Sequence, residues 1–269
     1  MTRPSWTELL VPQDNQDLLF ELFHENSKIG RHTTSLSDSD VIDHLKLLHP
    51  TLEYKGFPRV DLPQNDELPS VSLFEMMRAR KSVRSFRQSL ISIQEMAAIL
   101  FSGYGVTRTK NSVPHRLRTV PSAGALYPLE LYVHTSQLED YESGVYHYNP
   151  EEHCLRLIRA GDATEGVRQT ILQPDILHHA TACIFITAIF ERSVFKYQDR
   201  GYRFALIEAG HAAQNMNLAA CALGMDSVNI GGFFDREVDS FLALDGVTQS
   251  ILYMVVIGRC DNADPSSDK

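Results

Sequence analysis

The chain has 269 residues, of which 43% are hydrophobic and 22% are charged, an ordinary composition for a globular protein with a buried core. Its formal net charge of -9 disfavours a nucleic-acid-binding protein that works by neutralising phosphates. No stretch approaches the roughly 18 apolar residues that a membrane span needs. We therefore expect a soluble, cytoplasmic protein that binds neither nucleic acid nor membrane.

The N-terminal region has the spacing of two short amphipathic helices. Apolar residues recur at helical intervals over residues 14–27 and again over residues 39–49. Residues 50–69 begin with a proline and hold three more, Pro58, Pro63 and Pro69, among acidic residues, which predicts an extended connector. We place a boundary near Ser70. The predicted organisation is a helical extension with its linker (1–69), a main domain (70–260) and a loose polar tail (261–269).

The main domain is predicted to mix helices with strands in an α+β arrangement. A long, Ala-rich helix over residues 202–223 is predicted to be buried. Its small residues would permit close helix packing, either across a two-fold dimer or within one core. The other predicted helices cover 72–80, 92–101 and 236–244, and the predicted strands cover 129–134, 144–148, 155–158, 182–190, 227–230 and 251–257.

The four cysteines give no sign of a disulfide framework or a metal site. They are scattered, with no C-x-x-C pair and no histidine at metal-ligand spacing. Reduced thiols are expected, and no metal. The cysteines are Cys154, Cys183, Cys221 and Cys260.

A cationic motif lies where the predicted helix 72–80 gives way to a loop. It consists of Arg80, Lys81, Ser82 and Arg84. Such a cluster can hold a phosphate and the pyrimidine edge of a flavin through charge-assisted hydrogen bonds. Taken alone, it is more typical of a solvated basic helix end than of a flavin site.

A second motif, about forty positions downstream, is a turn of small residues that precedes a strand. The turn consists of Pro121, Ser122, Ala123 and Gly124. Because Ala123 and Gly124 have almost no side chain, the backbone there can approach the ribityl chain and the ring of a flavin. Alone, the segment would be a generic turn. No Gly-x-Gly-x-x-Gly or Walker pattern competes for cofactor binding. The two motifs together suggest a flavin site.

The pair of motifs, R-[RK]-S-x-R followed by P-S-A-G-A-x-Y-P, resembles the flavin-dependent nitroreductase superfamily. Within it, the chain is similar to the SagB-type dehydrogenases, a branch that includes the azoline dehydrogenases. The resemblance covers most of the chain and implies a nitroreductase-like fold, with a mostly antiparallel central sheet between helices and FMN at the interface of a homodimer. It continues through residues 21–28, Lys196-Tyr197, 201–203, 208–211 and 231–233.

The resemblance also assigns roles to residues. Arg80 would meet the flavin phosphate and ribityl chain, and Arg84 the pyrimidine edge, where a fixed guanidinium would stabilise the negative charge of reduced flavin. Gly231 and Gly232 would lie against the ring. Arg259 would meet the phosphate.

Lys196 and Tyr197 match a Lys-Tyr pair that the azoline dehydrogenases are proposed to use as a base. Oxidation of a thiazoline or oxazoline removes a ring proton as a hydride leaves, so the reaction needs a proton acceptor. Without the resemblance, a surface lysine beside a half-buried tyrosine would explain the pair equally well.

The expected function is therefore FMN-dependent oxidation of azolines to azoles on a peptide or a carrier-bound intermediate, with oxygen reoxidising the flavin. A cyclodehydratase or synthetase partner would supply the substrate. Two alternatives stay open. One is an NAD(P)H-dependent nitro or quinone reductase, which has no need of the Lys-Tyr pair, and the other is a flavin-bound, non-catalytic scaffold of a biosynthetic complex.

Several histidines invite a catalytic interpretation but have no partner at a diagnostic spacing. For each, we expect a structural role. On the long helix, a hydrogen bond between Glu208 and His211 is predicted to satisfy both side chains. The other histidines are His115, His178 and His179.

Overall fold

A computed structural model describes residues 19–31, 36–64, 69–108 and 117–260. Its central feature is a sheet of seven strands in the order β1-β6-β5-β4-β7-β9-β8, in which every neighbouring pair is antiparallel. A separate two-stranded sheet pairs β2 with β3. The strands are β1 (Arg59–Asp61), β2 (Val106–Arg108), β3 (Leu117–Arg118), β4 (Leu129–Thr135), β5 (Gly144–Asn149), β6 (Cys154–Ala160), β7 (Ala182–Ile189), β8 (Asp226–Ile230) and β9 (Gln249–Gly258).

Eight α-helices in the described part of the chain surround this sheet. The longest by far is α7, which has 24 residues. The helices are α1 (Phe20–Asn26), α2 (Asp38–Leu47), α3 (Leu73–Ala79), α4 (Ile93–Tyr104), α5 (Thr164–Gln169), α6 (Glu191–Tyr197), α7 (Asp199–Ala222) and α8 (Asp235–Leu242).

The core lies on both faces of the sheet. The central strands β4 and β7 are buried on both sides, as a near-continuous apolar run predicts. One apolar cluster joins β4 and β7 to α4 and α7, and a second joins the opposite face to α5 and α8. The sequence prediction of an α+β protein with an antiparallel central sheet is confirmed.

The long helix differs from its prediction, because only one of its faces is buried. Ala205, Ala209 and Met216 lie in the core, whereas Leu206 and Ile207 are exposed. A helix with this many small residues can pack closely on one side and still leave large apolar side chains on the other. The prediction of a wholly buried helix is therefore wrong for the single chain.

Five elements were not anticipated, and two of them are the strands β2 and β3 of the small sheet. The predicted connector contributes the edge strand β1, which pairs with β6. The short helices α5 and α6 have too few residues for a periodic pattern to emerge from the sequence. Residues 14–18 of the first predicted helix, His115 and the predicted tail 261–269 lie outside the described residues. Within the described ranges, no helix is long and apolar enough to cross a membrane.

Candidate functional site

The cationic motif lies along the edge of the sheet formed by β8. Arg80 caps the C-terminus of α3, and Ser82 forms a parallel bridge to Ser227. The backbone N–H of Val83 donates to the carbonyl of Ser227 at 3.0 Å. Lys81, Ser82 and Arg84 are exposed, and no described residue forms an ion pair with any cation of this motif. The guanidinium of Arg84 is therefore available to an anionic ligand.

A cavity of about 230 Å³ opens beside this motif at the end of β8. Arg84, Asn229, Gly231 and Gly232 contribute to its lining, and Leu172 closes one side. A Cβ built on Gly232 would lie 3.2 Å from Leu172 Cδ1, so a larger residue would narrow the cavity. The buried Oδ1 atom of Asn229 has no hydrogen-bond partner among the described residues. Such an orphaned acceptor fits a ligand that brings its own donor.

Arg259 follows β9 and is joined to the same segment. Its carbonyl accepts a hydrogen bond of 2.8 Å from the backbone N–H of Arg87. Its guanidinium pairs with Glu95 at 2.5 Å, and both side chains are mostly buried. The cationic motif, the two glycines and Arg259 thus lie along one edge of the sheet.

The second motif forms a tight turn just before β4. Ala123–Ala125 makes a single 3-10 turn, and the backbone at Gly124 is left-handed, with φ of 63°. Ala125 and Tyr127 also have positive φ values, of 55° and 47°. A segment with several left-handed residues persists only where surrounding contacts enforce it.

The side chains of Lys196 and Tyr197 converge on this turn. A Cβ built on Gly124 would lie 2.7 Å from Tyr197 Oη and 3.3 Å from Lys196 Nζ. Only glycine leaves room for both atoms. The Lys196 ammonium also lies 5.3 Å from the centre of the Tyr197 ring, within the range of a cation–π contact.

The predicted site residues therefore form two groups in the single chain. The Arg84 group holds the cationic motif, Gly231, Gly232 and Arg259. The Gly124 group holds the Pro-Ser-Ala-Gly turn, Lys196 and Tyr197. No member of the Gly124 group is among the described residues that line the cavity beside Arg84.

A buried carboxylate lies behind the turn. Glu208 on α7 is 2% exposed and accepts a hydrogen bond of 2.7 Å from Tyr104 Oη. Burial raises the pKa of Glu208 to about 7, although hydrogen bonds from Ser122 and Tyr104 and the charge of Arg118 oppose the shift. The predicted Glu208–His211 hydrogen bond is wrong, because His211 is on the exposed face of α7.

The network around Glu208 fixes both ends of the turn. Ser122 Oγ accepts from the backbone N–H of Tyr127 at 2.9 Å. Tyr104 Oη accepts from the backbone N–H of Leu129 at 3.0 Å. Because Ser122 and Tyr104 both donate to Glu208, one side chain ties residue 122 to residue 129.

Sequence reasoning missed Glu208 and Asn229 as parts of the site. A single acid among the alanines of a predicted buried helix was the signal for Glu208, because a buried carboxyl needs donors. Asn229 carries no such signal, since its role depends on where β8 ends.

The comparison with protein families matches the nitroreductase family over residues 77–259. The chain is 34% identical over 200 residues to a nitroreductase homologue of Methanocaldococcus jannaschii, covering 74% of this chain and 96% of that protein.

Two further relatives have names that refer to natural-product processing. The trifolitoxin-processing protein TfxB of Rhizobium leguminosarum is 34% identical over 55% of this chain and 41% of its own length. The microcin B17-processing protein McbC of Escherichia coli is 32% identical over 52% of this chain and 54% of its own length. The matches thus span about half of each of these two proteins.

Solved structures share the fold. A nitroreductase homologue from Anabaena variabilis superposes with a TM-score of 0.72 at 24% identity, covering 94% of this chain and 49% of that one. The microcin synthetase McbBCD complex of E. coli superposes with a TM-score of 0.59 at 24% identity, covering 91% of this chain and 92% of the matched chain. A Desulfovibrio desulfuricans homologue in complex with FMN superposes with a TM-score of 0.52 at 18% identity, covering 75% of this chain and 93% of that one.

The nitroreductase-like fold expected from the sequence is thereby confirmed. The matched family spans well over half of the chain, and it includes the cationic motif, the Gly124 turn and the Lys-Tyr pair. The chain belongs to the nitroreductase family, whose typical cofactor is FMN.

Proposed function

We propose that this protein is an FMN-dependent dehydrogenase that oxidises an azoline heterocycle, a thiazoline or an oxazoline, to the corresponding azole. The observation that carries the proposal is the convergence of Lys196 and Tyr197 on Gly124. It places an amine and a phenol, both able to accept a proton when deprotonated, against the turn that the resemblance assigns to the flavin.

The residues present fit FMN. Arg84 offers a cation that pairs with no described residue, Gly231 and Gly232 leave room for a flat ring, and Asn229 Oδ1, which has no described hydrogen-bond partner, offers an acceptor to a ring N–H. Arg80, Lys81, Ser82 and Arg259 would hold the phosphate end. When bound, FMN supplies a two-electron acceptor for hydride.

In this proposal the chain's own residues handle the proton and the orientation of the ring. Aromatising an azoline removes one hydride and one proton, and bound FMN would supply the acceptor for the hydride. Lys196 as the free amine, or Tyr197 as the phenolate, takes the ring proton. Molecular oxygen then accepts the two electrons. The separation of the two groups within one chain favours a homodimer in which the Gly124 group of one copy faces the Arg84 group of the other.

The exposed apolar side chains are consistent with such a dimer. Phe20, Leu22, Leu206 and Ile207 are exposed on α1 and α7. The Phe23 and Tyr202 rings meet edge to face, with centroids 5.6 Å apart, which joins the two helices into one apolar surface. Packing of this apolar surface against a second copy of the chain would remove it from water.

The relatives support a role in natural-product processing. McbC and TfxB are processing proteins by name, and the McbBCD structure is a synthetase complex that holds a truncated microcin precursor. By analogy, we propose a peptide or carrier-bound substrate, with a cyclodehydratase or synthetase as a partner.

One observation favours a second candidate, an NAD(P)H-dependent nitro or quinone reductase. The relative from M. jannaschii, which matches over 200 residues, is a nitroreductase by name. A reductase of this kind would accept electrons from a nicotinamide and would have no use for Lys196 and Tyr197 as a base.

Anaerobic mixing of the purified, FMN-loaded protein with a thiazoline peptide, and separately with NADPH, distinguishes the two candidates. Bleaching of the flavin absorption band by the thiazoline peptide alone is expected. Rapid bleaching by NADPH together with no response to the peptide would contradict the dehydrogenase. The absence of a flavin band after reconstitution would overturn both.

A further inference from the structure

The helix that carries Lys196 and Tyr197 has little stability of its own. It is the seven-residue α6, which is too short to be stable without tertiary contacts. It joins α7 through Gln198, whose φ of 49° and ψ of -139° are unusual for a residue other than glycine. The position of α6 therefore depends on what packs against it.

On one side, α6 lies against the start of α7. A Cβ built on Gly201 would lie 2.8 Å from the carbonyl carbon of Ser193. Ser193 Oγ donates to the carbonyl oxygen of Gly201 at 3.1 Å. Close backbone packing fixes this side of the helix.

On the other side, α6 contacts α2, which precedes the residues matched to the family model. Val41 and Leu45 are buried with Leu126, and Phe195 and Tyr197 pack against this cluster. The helix α2 thus touches both neighbours of Lys196 and the turn that contains Gly124.

A second contact of α2 with α6 is aromatic. The His44 ring stacks on Phe195 with centroids 4.2 Å apart and an interplanar angle of 17°. His44 Nε2 also lies 3.7 Å from Glu191 Oε1 at the start of α6. His44 of α2 therefore contacts α6 at two positions, Glu191 and Phe195, that are one helical turn apart.

The chain just after α2 is tied to α6 through a buried carboxylate. Glu130 on β4 accepts from Thr51 Oγ1 at 3.0 Å and from the backbone N–H of Leu52 at 2.9 Å. The same carboxylate pairs with Arg192 on α6 at 2.7 Å and with His147 at 2.6 Å. Burial would raise the pKa of Glu130, but Arg192 and His147 lower it to about 2, so the carboxylate stays charged.

Arg192 is four residues before Lys196, which is about one helical turn. The ion pair consequently fixes the same face of α6 that leads to Lys196.

We propose that residues 38–52 of the N-terminal region position Lys196 and Tyr197, through the α2 contact with Phe195 and Tyr197 and through the Thr51–Glu130–Arg192 connection. Leu45 and Thr51 are positioning residues and touch no reacting atom. The inference rests on the proposed function only for what the Lys-Tyr pair does. Displacement of a catalytic group by about 1 Å can slow a reaction about a hundredfold, so loss of this support would be visible in the rate.

Two matched pairs of variants test the proposal in the FMN-loaded protein. Leu45→Ala opens a gap in the α2–α6 contact, whereas Leu47→Ala changes the same helix at a side chain that is 78% exposed. Thr51→Val removes one donor to Glu130, whereas Thr51→Ser keeps it. Four quantities are measured: the rate of flavin reduction by a thiazoline peptide, the Kd of FMN, hydrogen exchange in α6 and α7, and the labelling rate of Lys196 by an amine-reactive reagent.

We expect Leu45→Ala and Thr51→Val to slow flavin reduction by about tenfold or more, with the Kd of FMN unchanged. In these two variants, hydrogen exchange should become faster in α6 while α7 stays protected, and the labelling rate of Lys196 should change. Leu47→Ala and Thr51→Ser should behave as the wild type. The proposal would be overturned if the two variants of each pair gave the same reduction rate, hydrogen exchange and labelling rate. It would also be overturned if hydrogen exchange rose equally in α6 and α7 and FMN was lost.

The labelling and exchange measurements need no substrate, so they decide the positioning role even if the wild type does not oxidise azolines. Failure of the wild type with the thiazoline peptide would count against the proposed function alone.

Discussion

Tyr104 Oη donates a hydrogen bond of 2.7 Å to the carboxyl of Glu208, and both residues are almost fully buried. The contact joins α4 to α7 directly behind the Gly124 turn. Glu208 has no described cationic partner within ion-pair distance, so the hydroxyl donors of Ser122 and Tyr104 and the more distant charge of Arg118 compensate for its burial only in part. This explains why burial dominates and the pKa of Glu208 rises to about 7.

We predict that Glu208 makes folding stability fall as the pH rises. Its pKa is about 7 in the folded chain against an ordinary value of 4.5 for a glutamate, so its protonated form favours folding. This contribution is fully present below about pH 4.5 and is lost as the pH rises through about 7. The shift corresponds to about 3 kcal/mol. Urea unfolding measures the free energy of unfolding at about pH 5 and at about pH 8. Between these two pH values it should decrease less in Glu208→Gln than in the wild type.

Glu139→Gln provides the control, because Glu139 is exposed and its only hydrogen bond in the described chain is made by its backbone N–H. It should keep the pH dependence of the wild type. If Glu208→Gln and Glu139→Gln gave parallel pH profiles, Glu208 would not be the titrating group.

The second prediction concerns the space at Gly124. Gly124→Ala would bring a Cβ to 2.7 Å from Tyr197 Oη and would add backbone strain at φ of 63°. We expect a loss of about 1–2 kcal/mol of stability from the left-handed backbone. We also expect flavin reduction by the azoline to slow, because Tyr197 and Lys196 must move.

Gly224→Ala separates strain from crowding. Gly224 has a similar φ of 68°, and a Cβ built there meets nothing within 4 Å. Stopped-flow reduction and urea unfolding of both variants give the comparison. The crowding argument fails if the two variants lose the same stability and reduce flavin at the same rate.

Long, strongly patterned elements were predictable from the sequence. The apolar run of β7 and the Ala-rich stretch of α7 have the composition of a central strand and a packed helix, and the structure places them there. The edge strand β1 was not predictable, because its three residues acquire strand geometry only by pairing with β6.

The same limit applies to the site. Arg84 and Gly124 belong to local motifs and can be read from the chain. The contacts of Glu208 with Tyr104 and of Arg192 with Glu130 join residues that are 104 and 62 positions apart, and nothing in a single sequence specifies such pairs.

The third prediction concerns the charge at Arg84. If Arg84 stabilises the negative charge of reduced flavin, Arg84→Ala should lower the two-electron reduction potential by about 30–60 mV, which corresponds to one charged hydrogen bond. A dye-equilibration titration measures the potential. Arg78→Ala is the control, because Arg78 is exposed on α3, six residues before Arg84, and is not among the described residues that line the cavity. An unchanged potential in Arg84→Ala would exclude this role.

The last prediction addresses the proton acceptor itself. Lys196→Ala and Tyr197→Phe should each retain FMN, because neither side chain lines the cavity beside Arg84. If one of them is the base, its variant should slow flavin reduction by the azoline by about 10²–10⁴, the usual contribution of general acid–base catalysis. Lys55→Ala, which removes a lysine that is 70% exposed, should change nothing.

Comparison of the two variants then distinguishes the two side chains. The variant that removes the base should show the full decrease in the rate of flavin reduction, and the variant that removes only its neighbour should show a smaller decrease. Loss of FMN from either variant would instead make the pair structural, and unchanged turnover in both would support a scaffold in which the Lys-Tyr pair is dispensable.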